Sequence, residues 1–108
     1  MTQTSLGRVN VTTPGTPVRL SNDPTQRVSK LYFQVIPGLT SKCYIGKPGL
    51  NKSTMAGVSR ILSPNTAGGI SDQFFLETQD GSDSIPLSDY AIDLDVAGEG
   101  LLVSYWTE

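Results

Sequence analysis

The chain has 108 residues, 37% of them hydrophobic, with eight basic and ten acidic side chains, one cysteine and no histidine. That length supports one domain with one core and leaves no room for two. The missing histidine excludes Ser-His-Asp and Cys-His catalysis and histidine metal sites, and the single cysteine excludes an internal disulfide and a thiolate zinc site.

In chain order, the first seven residues are polar with no apolar periodicity and read as a flexible N-terminal arm, leaving residues 8–108 as the domain. No leader and no membrane-length apolar stretch is apparent, so a soluble chain with a reduced thiol is expected. The patterns Asn10-Val11-Thr12 and Asn51-Lys52-Ser53 match the glycosylation acceptor and read as chance.

Eleven glycines and seven prolines interrupt the chain too often for a long helix. Between them lie short runs rich in β-branched and aromatic residues. These predict strands over Arg8–Thr12, Pro17–Leu20, Lys30–Ile36, Lys42–Gly46, Val58–Leu62, Gln73–Thr78, Tyr90–Val96 and Leu101–Trp106. Turns are expected at Thr13-Pro14-Gly15, Asn22-Asp23-Pro24, Pro37-Gly38, Lys47-Pro48-Gly49, Ser63-Pro64-Asn65, Asp80-Gly81-Ser82 and Ala97-Gly98-Glu99-Gly100. Eight short strands at this spacing predict an all-β domain, a small antiparallel β-sandwich of jelly-roll type with a thin core.

The last two strands read as a hairpin. Tyr90, Ile92, Leu94 and Val96 alternate with Ala91, Asp93 and Asp95, which predicts one buried and one wet face. Gly98 and Gly100 would supply the turn, with Leu101–Trp106 returning antiparallel. This returning strand is apolar on both faces, so it is either central or covered by a partner. The connection Gly46–Gly57 reads as an exposed cationic loop, and a Gly-rich link follows at Thr66-Ala67-Gly68-Gly69.

Charge is lopsided. Residues 1–60 carry all eight bases against Asp23 alone, and residues 61–108 carry nine acids and no base. Three readings follow: strands of the two halves alternate and neutralise each other, opposite faces meet across a subunit boundary, or the basic half binds nucleic acid. The last is the weakest, because the bases are scattered singly without interleaved aromatics.

Few residues carry chemistry. Cys43 sits within a strand and reads as a buried structural thiol. Asp93-Leu94-Asp95 resembles the start of a calcium loop, but Ala97 and Ser104 stand where an acid or amide and a glutamate are needed. No carboxylate spacing singles out a glycosidase pair, and no phosphate-binding glycine motif occurs. No enzyme activity, cofactor or metal is expected. Trp106, Tyr105, Tyr90, Tyr44 and Tyr32 offer either an aromatic platform for a sugar or peptide, or core packing with the phenol tips at the rim.

Three groups of residues resemble a family of small structural proteins of tailed bacteriophages. The first is Gly7-Arg8-Val9-Asn10-Val11 with Thr13-Pro14-Gly15-Thr16-Pro17-Val18-Arg19-Leu20. The second is Val35-Ile36-Pro37-Gly38, Lys42-Cys43-Tyr44-Ile45-Gly46 and Gly49-Leu50-Asn51-Lys52-Ser53-Thr54. The third is Asp89-Tyr90-Ala91-Ile92-Asp93, Val96-Ala97-Gly98-Glu99-Gly100 and Val103-Ser104-Tyr105-Trp106.

The resemblance implies a virion protein made in the host bacterial cytoplasm, and within that family a capsid decoration (cement) protein. It implies a homotrimer on the capsid exterior that bridges major capsid protein subunits. No nucleic acid, membrane or small-molecule substrate is implied, and no catalytic residue carries over. The alternatives are a tail, head–tail joining or fibre-base component, or a module recognising host glycan or peptide. Residues expected to meet a partner are Thr4, Ser5, Leu6, Arg8, Lys47, Asn51, Lys52, Arg60, Tyr105 and Trp106.

Overall fold

Alternation of apolar and polar residues governs the strands. In Lys30–Val35 the buried positions are Leu31, Phe33 and Val35, and the half-exposed ones are Lys30, Tyr32 and Gln34. Such period-2 burial is what a strand with one face on a core requires. The computed structural model describes residues 2–36, 40–63 and 72–107. The expected turns at Pro37-Gly38 and Pro64-Asn65, and the glycine link at 66–69, lie outside the described residues.

Ten strands follow in order: β1 (Thr2–Asn10), β2 (Val18–Arg19), β3 (Arg27–Val28), β4 (Lys30–Val35), β5 (Cys43–Asn51), β6 (Ala56–Leu62), β7 (Gln73–Glu77), β8 (Ile85–Pro86), β9 (Ala91–Leu94) and β10 (Gly100–Thr107). The one helical element among the described residues is a 3-10 turn at Leu87–Asp89. The domain is therefore all-β and antiparallel, as its sequence predicts.

Two four-stranded sheets run β1-β10-β4-β7 and β2-β9-β5-β6, and β3 pairs with β8. One apolar cluster joins the sheets. Leu31, Phe33, Leu101 and Val103 come from the first, Cys43, Ile45, Leu62, Ile92 and Leu94 from the second. Phe33 stacks on Phe74 of β7 at 6.2 Å between ring centroids. Burying a side chain of this size contributes about 1.5–3 kcal/mol.

Three expectations need correction. First, residues 2–7 are not an arm: they form most of β1, with Thr2 opposite Thr107 and Gly7 opposite Val103. Polar residues can fill an edge strand because only Leu6 and Val9 need reach the core. A bulge makes that parity work. Register shifts between Ser5 and Gly7, where Gly7 adopts φ +69°, so Leu6 and Val9 both pack inward although three residues apart.

Second, β9 and β10 are not a hairpin. β9 pairs with β2 and β5, and β10 with β1 and β4, so the chain crosses between sheets at residues 95–99. Local glycines resemble those of a hairpin, yet the crossing is held by long-range bonds: Val11 N–H donates to Glu99 O, and Gly98 N–H to Val11 O.

Third, the expected wet face of β9 is covered. Ala91 and Asp93 are buried, and Asp93 accepts the Gly15 N–H at 3.2 Å on each carboxylate oxygen and the Leu94 N–H at 2.9 Å. The turn after β1 lies over this sheet. Residues 46–57 likewise form the end of a β5–β6 hairpin rather than a free loop.

Of the two alternatives for β10, it is central in its sheet, while Leu102 on its outer face stays 38% exposed. Ser104 has Ser5 on one side and Tyr32 on the other.

Backbones approach closely beside β10. A Cβ on Gly100 would overlap Val9 O and Asn10 Oδ1, whereas one on Gly49 would meet nothing within 4 Å. Gly100→Ala should therefore lower stability by about 2 kcal/mol or more, and Gly49→Ala by less than about 1 kcal/mol. Urea denaturation of both variants checks this; equal midpoints would contradict the packing.

Candidate functional site

Strand register places four side chains in each of three rows on the outer face of the first sheet. The first row is Gln3, Trp106, Lys30 and Glu77; the second is Ser5, Ser104, Tyr32 and Phe75; the third is Arg8, Leu102, Gln34 and Gln73. Phe75 is 52% exposed and Leu102 38%, so large apolar groups meet solvent here.

The aromatic corner is tied together by complementary electrostatics. Lys30 Nζ sits 5.0 Å from the ring centroids of both Phe75 and Trp106, and 3.9 Å from a Glu77 carboxylate oxygen. A cation over a ring face is attracted by the π quadrupole, by about 0.5–1 kcal/mol at exposed sites. Tyr32 meets Trp106 edge-on at 6.4 Å, and its hydroxyl donates to Gln73 Oε1. The backbone under Trp106 is held too, because its carbonyl accepts the Ser29 N–H at 2.8 Å and Oγ–H at 2.9 Å.

Where the rows thin to serines, the face is concave. A trough of about 340 Å³ runs over Ser5 and Ser104, between Gln3 with Trp106 and Gln34 with Leu102, and Tyr32 and Lys30 border it. Ser5 and Ser104 are too small to fill the space that their larger neighbours enclose.

Of the residues expected at a partner surface, Thr4, Ser5, Leu6, Arg8, Tyr105 and Trp106 come together on β1 and β10. Only Ser5, Arg8 and Trp106 among these belong to the outer face. Thr4 and Tyr105 are paired on the inner side, where Tyr105 packs against the core and its hydroxyl accepts the Gln26 amide at 3.2 Å. Leu6 turns inward at the bulge.

The other four lie on the second sheet and are largely engaged within the chain. Lys52 Nζ donates to Leu94 O at 2.9 Å and Asp95 Oδ1 at 3.0 Å. Asn51 Oδ1 accepts the N–H groups of Ser53 and Thr54, which makes it a turn residue. The Arg60 guanidinium covers Phe74 at 5.3 Å, across the open side between the sheets. Lys47 is exposed.

The five aromatic residues do not form one platform. Trp106 and Tyr32 share the outer face, while Tyr90 and Tyr105 pack against the core. Tyr44 is buried on the second sheet and donates to Asp95 Oδ2 at 3.1 Å. Burial, then the Asp95 bond and charge, push its phenol up. Cys43 is a buried free thiol, pushed up to about 12 chiefly by burial and further by the charges of Glu99, Asp95 and Asp72. At neutral pH it is not a thiolate nucleophile.

Sequence reading missed Gln3, Lys30, Gln34, Phe75, Leu102 and Ser104 as surface partners of Trp106. Parity could have found Lys30, Gln34, Leu102 and Ser104 as outward-facing residues, but not which of them neighbour Trp106. In Lys30–Val35 and Leu101–Trp106 the even-numbered residues are those opposite the apolar face, once Leu31, Phe33, Leu101 and Val103 are assigned inward.

No group of three or more His, Cys, Asp and Glu among the described residues is placed to hold a metal ion. No helix among them is long and apolar enough to cross a membrane. No protein-family model matches the chain, and comparison with curated proteins and with solved structures gave no significant match.

Arg8 edges the site and anchors the sheet crossing. Its Nε donates to Asn10 Oδ1 at 2.6 Å and an Nη to Gly98 O at 3.1 Å. Beside it, Glu99 accepts the Thr40 N–H and hydroxyl, each at 2.9 Å, and the Ser41 N–H at 3.2 Å. Desolvation opposes ionisation of Glu99, but these bonds and the Arg8 charge outweigh it and hold the carboxyl below its usual value. A lowered folded value means the contribution is present above the unfolded value and is lost as pH falls through the folded one. The stability difference between wild type and Glu99→Gln should therefore be largest near neutral pH and shrink below about pH 4. Urea midpoints across that range check it; a difference independent of pH would contradict the latch.

Proposed function

We propose that this chain is a virion structural protein: a capsid decoration protein that binds the outer surface of a tailed-phage capsid as a homotrimer and stabilises contacts between major capsid subunits. The residues that resemble phage structural proteins suggest this reading, and one observation in the fold supports it. β1 is a nine-residue edge strand paired on one side by β10, and its other backbone edge faces no strand of the two sheets.

Edge strands normally carry Lys, Pro or inward charge to discourage added chains. Thr2, Gln3, Thr4 and Ser5 carry none of these, and the bulge at Leu6–Gly7 and the Arg8 charge guard only the second half of the strand. Both ends of β2-β9-β5-β6 and the far edge of the first sheet are better guarded. β2 has two residues, β6 carries Arg60, and β7 ends in Glu77. A protein that cements a lattice needs a standing site for adding another chain, and β1 suits that need.

The strand order supports the reading by analogy. With the short β3 and β8 set aside, the eight remaining strands run 1-8-3-6 and 2-7-4-5. First pairs with eighth, second with seventh, third with sixth and fourth with fifth, which we read as a jelly roll. Jelly rolls serve both viral capsid and lectin domains, so the analogy favours a class of roles rather than one.

Co-sedimentation with DNA-emptied, expanded capsids of the phage that encodes the chain tests the proposal. Binding should saturate, and Thr4→Lys, which gives the open edge strand an inward-pointing charge of the kind that discourages added chains, should weaken it at least tenfold with an unchanged circular dichroism spectrum. A chain that stays in the supernatant at every ratio would overturn the proposal.

A further inference from the structure

We propose that the trough over Ser5 and Ser104 is a binding site for a neutral saccharide ring. This does not depend on the capsid reading, because the site lies wholly within one chain.

The lining selects the ligand. The floor consists of two hydroxyls, Ser5 and Ser104, which are cross-strand partners. Ser5 Oγ accepts the Gly7 N–H, so its own proton is left to donate. Gln3 and Gln34 place amides at opposite ends, each able to donate and accept. Trp106 and Tyr32 add aromatic surface on one side. A sugar ring presents the matching pattern: hydroxyls that both donate and accept around its edge, and an apolar C–H face that packs on aromatic carbon.

Charge and backbone exclude the main competitors. Lys30 is the one charged residue of the lining, and it is engaged by Glu77 and by two ring faces. A neutral ligand is thus the complementary one. A peptide strand would bind through main-chain bonds, but β10 beneath the trough is already paired on both sides by β1 and β4. Recognition here must run through side-chain hydroxyls and amides.

Dimensions agree. Trp106 and Leu102 are four residues apart on one strand, about 14 Å at roughly 3.4 Å per residue. Once both side chains have taken their share, the gap is about one ring wide. The volume of about 340 Å³ lies at the small end of ligand sites, which suits one or two rings rather than a long oligomer. The walls are preorganised, since Trp106 is held by Lys30, by Tyr32 and through its carbonyl by Ser29. Preorganisation lowers the ordering cost of binding. An open trough with few polar anchors should still give only millimolar affinity.

The sequence contains one tryptophan, so its fluorescence reports on this site alone. The full chain is titrated with glucose, galactose, N-acetylglucosamine and their β1,4-linked disaccharides, and with galacturonate as the acidic control. At least one neutral sugar should shift Trp106 emission saturably at millimolar concentration. Ser104→Tyr, which fills the floor, should weaken that binding at least tenfold, while Met55→Ala on the β5–β6 hairpin should leave it unchanged. If Ser104→Tyr does not fold, the double variant Gln3→Ala, Gln34→Ala carries the test, because it removes both amides without adding bulk. No response to any neutral sugar at tens of millimolar would overturn the proposal. So would a response to galacturonate alone, or neutral-sugar binding that survives the variants.

Discussion

The two-sided pairing of β10 is the constraint on which the rest of this molecule depends. Its backbone bonds to β1 and β4 leave no main-chain freedom, so parity alone decides what its side chains do. Leu101 and Val103 enter the core, and Leu102, Ser104 and Trp106 are sent outward. A slip of one residue would exchange these sets, exposing the core residues and burying the indole, so register is strongly specified. The bulge at Leu6–Gly7 extends the same constraint to β1. It returns Val9 to the core and leaves Arg8 outside, where Arg8 reaches the crossing between sheets.

Nested pairing also resolves the lopsided charge. β1, β2 and β4 come from the basic part of the chain and pair with β10, β9 and β7 from the acidic part, and β5 has β9 on one side and β6, which carries Arg60, on the other. Opposite charges then become neighbours without any sequence-local pairing. Lys30 meets Glu77, Lys52 meets Asp95, and Arg8 lies beside Glu99. Exposed pairs of this kind contribute about 0–1 kcal/mol each.

Much of this was legible in the residues. The all-β class and eight of the ten strands among the described residues follow from turn chemistry and alternation, although β1 starts at Thr2 where Arg8 was expected and β5 runs on to Asn51 where Gly46 was expected. The two short strands, β3 and β8, carry too little pattern to be seen. What was not legible is long-range. Thr2–Ser5 resemble an arm because an edge strand at an open rim needs few apolar side chains. Asp93 appears wet because nothing local announces that Gly15, nearly eighty residues away, will cover it. The glycines at 98 and 100 look alike for a hairpin and for a crossing between sheets. Trp106 was visible as a surface candidate, but its neighbours Lys30, Ser5 and Phe75 are set by register, which one sequence does not display. Lys52, Asn51 and Arg60 looked like interface residues because their internal partners are equally distant.

The measurement that tests this account most directly is a set of cross-strand proton contacts from Ser104, read by nuclear Overhauser spectroscopy on the uniformly labelled chain. With β10 central, Ser104 should show backbone contacts to Ser5 on one side and Tyr32 on the other, and none to β9. Contacts from β10 to Ile92 or Leu94 along a β9–β10 hairpin ladder, with Ser5 unpaired, would contradict it. In that case the outer face, its trough and the open edge of β1 would all be lost together.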